Sequence, residues 1–380
     1  MKKCFLYLLM VGGLGACIQS EPLNAEADIM ACKILNAKGS PETNIKGNII
    51  INNAQVLAQA NPSIDLTKLA LEVTLTEGAN ISPDPARVMD YSHPQKFTVT
   101  SEDGNWHKEY SVIIDTFDLP LRYETQGTAL FKQYIWASGN SGFALTGVGR
   151  NPQEYPTVSI ENGIDGSRAI KLETKSTGQF GETVKMPIAA GNLFLGSFDV
   201  NNAVQKPLKA TRFGLPFGKK PLQLKGYYKY TPGTQPFKAK DKNGNTVTIP
   251  GQEDEGDIYA VLYEAAELDG QALDGNNVLT SKNIVALARV EVEKKDEFTA
   301  FHVDFHYESR IPIDWPKFIQ DQRDPSDDGT DEYLPFKEEK MKNYEYNLAV
   351  VFTSSKYGAY FAGSVGSTLC IDKVEIVCEK

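Results

Sequence analysis

Short β-rich runs separated by turn residues fill this chain, and no run with a helical period interrupts them. The first 115 residues hold "DIMACKIL", "NIKGNIIIN", "LALEVTLTEG" and "KFTVTSEDGNWHKEYSVIID". The last of these predicts two strands joined at Asp103-Gly104, because Asp-Gly favours a tight hairpin turn. About ninety residues of such spacing predict a small β-sandwich over 27–117. Pro120 interrupts the pattern in "FDLPLRYE", and beyond it come "SRAIKLETKS", "LKGYYKYTPG", "DIYAVLYEA", "IVALARVEV", "FTAFHVDFHYE", "YNLAVVFTSS" and "TLCIDKVEIV". So many strands in one unit predict a two-sheet jelly roll over 118–380. Asp241-Lys242-Asn243-Gly244-Asn245 reads as a hairpin turn within it, since Thr246 and Gln252 break the calcium-loop pattern that it otherwise starts.

The N-terminus bears on the compartment. Lys2 and Lys3 precede the apolar run "CFLYLLMVGGLGA", too short to span a bilayer and suited to a signal peptide over 1–16. Leu14-Gly15-Ala16-Cys17 resembles a bacterial lipobox, so Cys17 is the expected lipidation site, followed by a linker to residue 26. That would make the protein an outer-membrane lipoprotein at the cell surface, held to the membrane through its lipid alone; Glu21 resembles a surface-export signal. Cys32, Cys370 and Cys378 then remain and are expected as buried free thiols. A net charge of -10 without a clustered basic surface argues against a nucleic-acid partner.

No G-x-S-x-G or H-E-x-x-H motif occurs, and among 49 acidic residues no catalytic pair can be chosen. In "FHVDFH", His302, Asp304 and His306 share one strand face. Side chains at i and i+4 stand about 13 Å apart along a strand, too far for one ion, so a solvated face is expected. "DQRDPSDDGTDEY" matches no calcium cage and reads as a solvated loop. Aromatic residues carry more. "YIWASGNSG" places Tyr134, Trp136 and Asn140 in an expected loop, where an exposed indole beside an amide suits a sugar ring. Tyr227 lies with Lys225 and Lys229 on one face of its strand, and Tyr259 belongs to a strand apolar on both faces, which is either fully buried or lines a groove. Trp315, in "IPIDWPKF", is a second loop tryptophan. In the last strand, simple alternation puts Cys370, Asp372, Val374 and Ile376 on one buried face, where a carboxylate needs hydrogen bonds or a cation.

"LKGYYKYTPG", "DIYAVLYEA" and "NLAVVFTSSKYGAYFAGSVGSTLCIDKVEI" resemble the putative carbohydrate metabolism domain family of surface lipoproteins, from about Phe117 to Lys380. "ISPDPARVMDYSHPQKFTVTSEDGNWHKEYSVII" resembles the Ig-like modules that precede such domains. The resemblance implies an all-β protein: an Ig-like N-terminal sandwich, then a larger jelly roll like carbohydrate-binding modules. It also implies a glycan partner, and a structural calcium between Glu124 and Asp372; hydrogen bonds or a salt bridge from Arg122 are the alternative for Asp372. The expected function is glycan binding through Tyr134, Trp136, Asn140, Tyr227 and Tyr259. Hydrolysis by a carboxylate pair in the same cleft, or a non-catalytic adhesion role, stays open.

Overall fold

The computed structural model describes residues 23–379 apart from 53, 62–63, 117–118, 120, 124–134 and 269–270. Cys17, Glu124 and Tyr134 therefore lie outside the described residues.

The first unit is built from β1 (Ile29–Asn36), β2 (Ile45–Ile51), β3 (Gln55–Ala60), β4 (Leu69–Leu75), β5 (Asn80–Ser82), β6 (Gln95–Thr100) and β7 (His107–Asp115). β1 pairs with β4, and the others form a second sheet in the order β2-β3-β7-β6-β5. Alternation decides its core: Phe97, Val99, Tyr110 and Val112 point from one sheet onto Ile34, Leu69 and Leu71 of the other. The turn from β6 to β7 forms at the expected place. Gly104 takes a φ of 71°, which a glycine adopts without steric cost, and Asp103 accepts from the amide of Asn105 at 3.0 Å.

The second unit contains β8 (Arg122–Tyr123), β9 (Trp136–Ala137), β10 (Thr157–Ile160), β11 (Ala169–Glu173), β12 (Lys175–Ser176), β13 (Ile188–Ala189), β14 (Asn192–Phe198), β15 (Thr211–Phe213) and β16 (Leu215–Pro216). It continues with β17 (Pro221–Thr231), β18 (Lys238–Lys240), β19 (Thr246–Thr248), β20 (Asp257–Glu264), β21 (Ile284–Val290), β22 (Lys295–Asp304), β23 (Tyr346–Thr353) and β24 (Thr368–Cys378). One antiparallel sheet runs β10-β11-β24-β17-β22 with β8 beside β24. The other runs β15-β14-β23-β20-β21, with β9 on β14 and β16 on β23. Leu224, Tyr228 and Tyr230 from the first sheet meet Ile258, Ala260, Leu262, Leu348 and Phe352 from the second, which makes this a sandwich with one large inter-sheet core. The protein is thus mostly β, with a small N-terminal sheet unit and larger antiparallel sheets.

The second sheet is unusual in burying both faces. All eight residues of β20 are buried, as its apolar pattern requires. Tyr259, Val261 and Tyr263 point away from the inter-sheet core into a separate cluster with Phe194, Phe213, Leu273, Leu287 and Val351, roofed by long loops. β18 and β19 close around Asp241 as a hairpin, its Oδ1 accepting from the amides of Asn243 and Asn245 at 2.8 Å.

β24 departs from simple alternation. Tyr227 pairs with Asp372 and Lys225 with Glu375, so Lys373 and Val374 together oppose Gly226, and Lys373 takes a φ of 46°. This bulge shifts the side-chain phase by one residue. Leu369, Ile371, Val374 and Ile376 all enter the inter-sheet core, whereas Cys370 and Asp372 face the other way. The expected shared face of Cys370, Asp372, Val374 and Ile376 is corrected accordingly.

Asp372 is nonetheless buried, because the turn at 163–167 covers it. Its Oδ2 accepts from the Ile164 amide at 2.8 Å and the Ser167 hydroxyl at 2.5 Å, and its Oδ1 from the Lys373 amide at 2.7 Å. A Cβ on Gly163 would stand 2.6 Å from Oδ2, so glycine is what lets the turn approach. These partners are donors, the complement of an anion, whereas a calcium cage needs oxygen acceptors. These donors satisfy Asp372 without a cation, while Glu124, the other expected calcium ligand, lies outside the described residues. Arg122 pairs with Glu375 at 3.1 Å rather than with Asp372.

A candidate ligand cleft on the outer face of the second sheet

The roof over the second sheet leaves a cleft with about 190 Å³ of free space. Its floor is the outward side of three neighbouring strands: Asn192 and Phe194 from β14, Val351 and Thr353 from β23, Asp257 and Tyr259 from β20. Two short helices, α1 (Asn140–Ala144) and α2 (Gly178–Thr183), contribute Gly142, Phe143, Phe180 and Gly181 to one side. Opposite them the turn after β23 contributes Tyr360 and Phe361, with Trp315 beside it.

That turn belongs to the "SSKYGAYFAGSVGST" stretch, and its shape has a visible cause. Asp254 Oδ2 accepts from the Ser355 hydroxyl at 2.6 Å, the Ser364 amide at 2.8 Å and the Ser367 hydroxyl at 2.7 Å, which ties the start of the turn to its end. Burial pushes the Asp254 carboxyl up to about 6, against the pull of those same donors. Thr174 Oγ1 meets both Ser354 and Ser355, at 2.8 and 2.5 Å, so the serines form one buried polar network. Phe361 sits at φ 57°, ψ 33°, a left-handed conformation costly for a bulky residue, and the cleft is where that strain is held. The Lys240 ammonium lies 4.5 Å from the centre of the Phe361 ring. Trp315 packs edge-on to Tyr360 with centroids 6.4 Å apart, under the Arg323 guanidinium at 4.7 Å.

Asp257 is the only carboxylate among the described residues that line the cleft. Arg289 clamps it with two hydrogen bonds, Nε to Oδ1 at 3.0 Å and Nη2 to Oδ2 at 2.7 Å. Burial alone would lower the Arg289 guanidinium, but Asp257 beside it more than offsets this and the net direction is upward. Such a carboxylate is committed as an acceptor and poorly placed to shuttle a proton.

The sequence candidates scatter. Trp136 is 5% exposed, pairs with Leu195 through β9 and packs on Tyr123 and Phe352 in the inter-sheet core. It is a packing residue on a strand, not an exposed loop residue, because β9 joins the sheet edge and turns the indole inward. Asn140 opens α1 and spends its amide on the backbone of Thr157, donating at 2.7 Å and accepting at 3.0 Å. Tyr227 is half-buried on the outer face of the first sheet, with the whole sandwich between it and Tyr259. Tyr259 does reach the cleft, though 5% exposed, and burial pushes its hydroxyl up. Trp315 also reaches it. Phe180, Tyr360 and Phe361 went unmarked in the sequence; the signal for the last two was the turn-rich, aromatic "KYGAYF" directly after a fully apolar strand.

Elsewhere the plainer readings hold. His302, Asp304 and His306 are exposed while Phe301 and Phe305 are buried, as in any half-solvated strand. In the acidic loop Asp324 caps a short turn through the Ser326 amide at 3.0 Å and Asp328 pairs with Arg323. Cys32, Cys370 and Cys378 are unbridged, and burial pushes the Cys32 thiol up to about 12 and Cys378 to about 11.

Comparison with known proteins narrows the class. The family described as Putative carbohydrate metabolism domain matches residues 101–377, and the one described as SGBP, N-terminal matches residues 36–114. A putative glycoside hydrolase from Bacteroides thetaiotaomicron VPI-5482 is 40% identical, covers 95% of this chain and 99% of its own, and superposes with a TM-score of 0.76. Another from Bacteroides vulgatus ATCC 8482 is 28% identical over 91% of this chain and 98% of its own, with a TM-score of 0.52. No curated protein is significantly similar in sequence.

Proposed function

Since the chain belongs to the Putative carbohydrate metabolism domain family, we propose that it is a surface or secreted glycan-binding protein whose binding site is the cleft on the outer face of the second sheet. The observation that carries this reading is the cleft's lining. Trp315, Tyr360 and Phe361 stand over a floor containing Tyr259, and the one lining carboxylate is clamped by Arg289. Aromatic rings packing on sugar C–H faces can supply most of the affinity for a neutral glycan, with little dependence on salt. The N-terminal match to SGBP supports the same class.

A hydrolytic reading draws on what the two structural relatives are called. It requires two carboxylates about 5 to 10 Å apart across a bound sugar. Asp257 offers one, already held in two hydrogen bonds. Retardation in polysaccharide gels, run beside reducing-sugar release on the same panel, separates the readings. Retardation without release supports binding, release replaces it with hydrolysis, and neither response removes the glycan role.

The proposal extends to the anchor. Cys17, after a signal peptide of 1–16, is acylated and holds the protein on the outer membrane. Cys17→Ala should then release it from membranes, and a wild-type protein found wholly soluble would contradict the anchor.

A further inference from the structure

The polar side chains of the cleft are largely spoken for. Thr146 Oγ1 donates to the Phe143 carbonyl at 2.7 Å, Thr177 Oγ1 to that of Met186, and Thr353 Oγ1 to that of Ser355 at 3.0 Å. Asn192 Oδ1 accepts from the Gly139 amide at 2.7 Å, Asn276 Nδ2 donates to Asp274 at 2.7 Å, and Asp257 is held by Arg289. What faces the empty volume is mostly apolar, and the apolar surface continues outward past the mouth. Phe180 and Val204 line the cleft while 42% and 37% exposed. Leu145 and Val148, 49% and 45% exposed, follow directly on α1, and a Cβ on Gly178 at the head of α2 would stand 2.9 Å from Val148. These account for much of the large apolar surface that the described residues leave open to water.

A bare sugar gains less from such walls than a sugar that carries an apolar substituent. Each hydroxyl taken from water without a partner costs about 1 to 3 kcal/mol, and few side-chain groups of the described lining, the Tyr259 hydroxyl and Asn192 Nδ2 among them, remain to serve as partners. An acyl group has few polar atoms, an ester carbonyl and at most a ring hydroxyl, and its apolar part gains by leaving water. We infer that the cleft receives the ester-linked acyl group, aromatic or short-chain, of a substituted glycan, with the sugar itself held at the mouth. This rests on the glycan reading and narrows it: the recognised unit is a sugar together with its apolar substituent. Exposed rim residues such as Phe180 then fix specificity without supporting the fold.

Calorimetric titration with a panel of hydroxycinnamoylated and acetylated oligosaccharides, each before and after saponification, tests the inference. The esterified forms should bind at least tenfold tighter than their saponified counterparts. Phe180→Ser should remove at least fivefold of that advantage while leaving the thermal transition unchanged. Equal affinity before and after saponification overturns the inference and leaves the glycan reading standing. Failure of every oligosaccharide, esterified or not, removes both. A free hydroxycinnamate binding as tightly as its sugar ester also removes both, since the sugar would then have no part.

Discussion

Asp254 is the residue whose charge the fold tolerates least. It is 3% exposed, its partners are neutral hydroxyls and amides, and burial holds its carboxyl up at about 6. An unfolded chain releases this proton near pH 4 and the folded one near pH 6. Between those values the folded state binds the extra proton, so the contribution of Asp254 to stability falls as pH rises and is flat outside that window. The size is roughly 3 kcal/mol. Chemical denaturation of wild type and Asp254→Asn at pH 4 and pH 7 should show the wild type losing that much more stability across the interval; parallel losses would contradict it. Asp372 is another buried carboxylate that accepts from a hydroxyl and amides. Asp372→Ala leaves the Ile164 amide without its acceptor, at about 1 to 3 kcal/mol, while the Ser167 hydroxyl keeps the Ile164 carbonyl at 2.6 Å. Thermal melting should drop for that variant and stay unmoved for wild type treated with a chelator. A melting temperature that falls on chelation would restore the calcium expectation.

At the scale of single elements, the strands were legible and their phase was not always. β20 and β17 follow the period of two, so the faces of Tyr259 and Tyr228 could be read directly from "DIYAVLYEA" and "LKGYYKYTPG". In β24 one left-handed residue, Lys373, inverts everything beyond it, and nothing in "CIDKVEI" announces a bulge. The apolar outer face of β20 was correctly a choice between burial and a groove, and the structure uses both: Val261 and Tyr263 are roofed while Tyr259 floors the cleft. Trp136 was misread because a two-residue strand leaves no periodicity to detect. The cleft walls come from six separated segments, and no local pattern links "FGETV" to "IDWPKF" or "KYGAYF". The two faces of the sandwich give a test at this scale. Tyr227→Ala removes an aromatic ring from the outer face of the first sheet and should leave glycan affinity within twofold of wild type in gel retardation. A loss of tenfold or more would move the binding surface to that sheet.

Among the described residues, the core of the first unit, from Ala27 to Ile114, shares no buried residue with the inter-sheet core of the second, from Leu119 to Ile376. The first unit has its own two-sheet core. Phe97 is 1% exposed at its centre, and Phe97→Ala should cost about 3 to 5 kcal/mol of that unit's stability by opening a cavity. Calorimetric unfolding should show that destabilisation while polysaccharide retardation stays unchanged; a parallel loss of retardation would mean the N-terminal unit takes part in binding. The central claim is that glycan binds in the cleft above β14, β20 and β23. Ala203 lines that cleft and is half-buried, so Ala203→Trp fills the space without disturbing either inter-sheet core. The decisive measurement is polysaccharide-gel retardation of Ala203→Trp beside wild type, with both melting curves recorded. Retardation should be lost while the thermal transition stays within a few degrees, and retardation equal to wild type in a folded Ala203→Trp protein would contradict binding in this cleft.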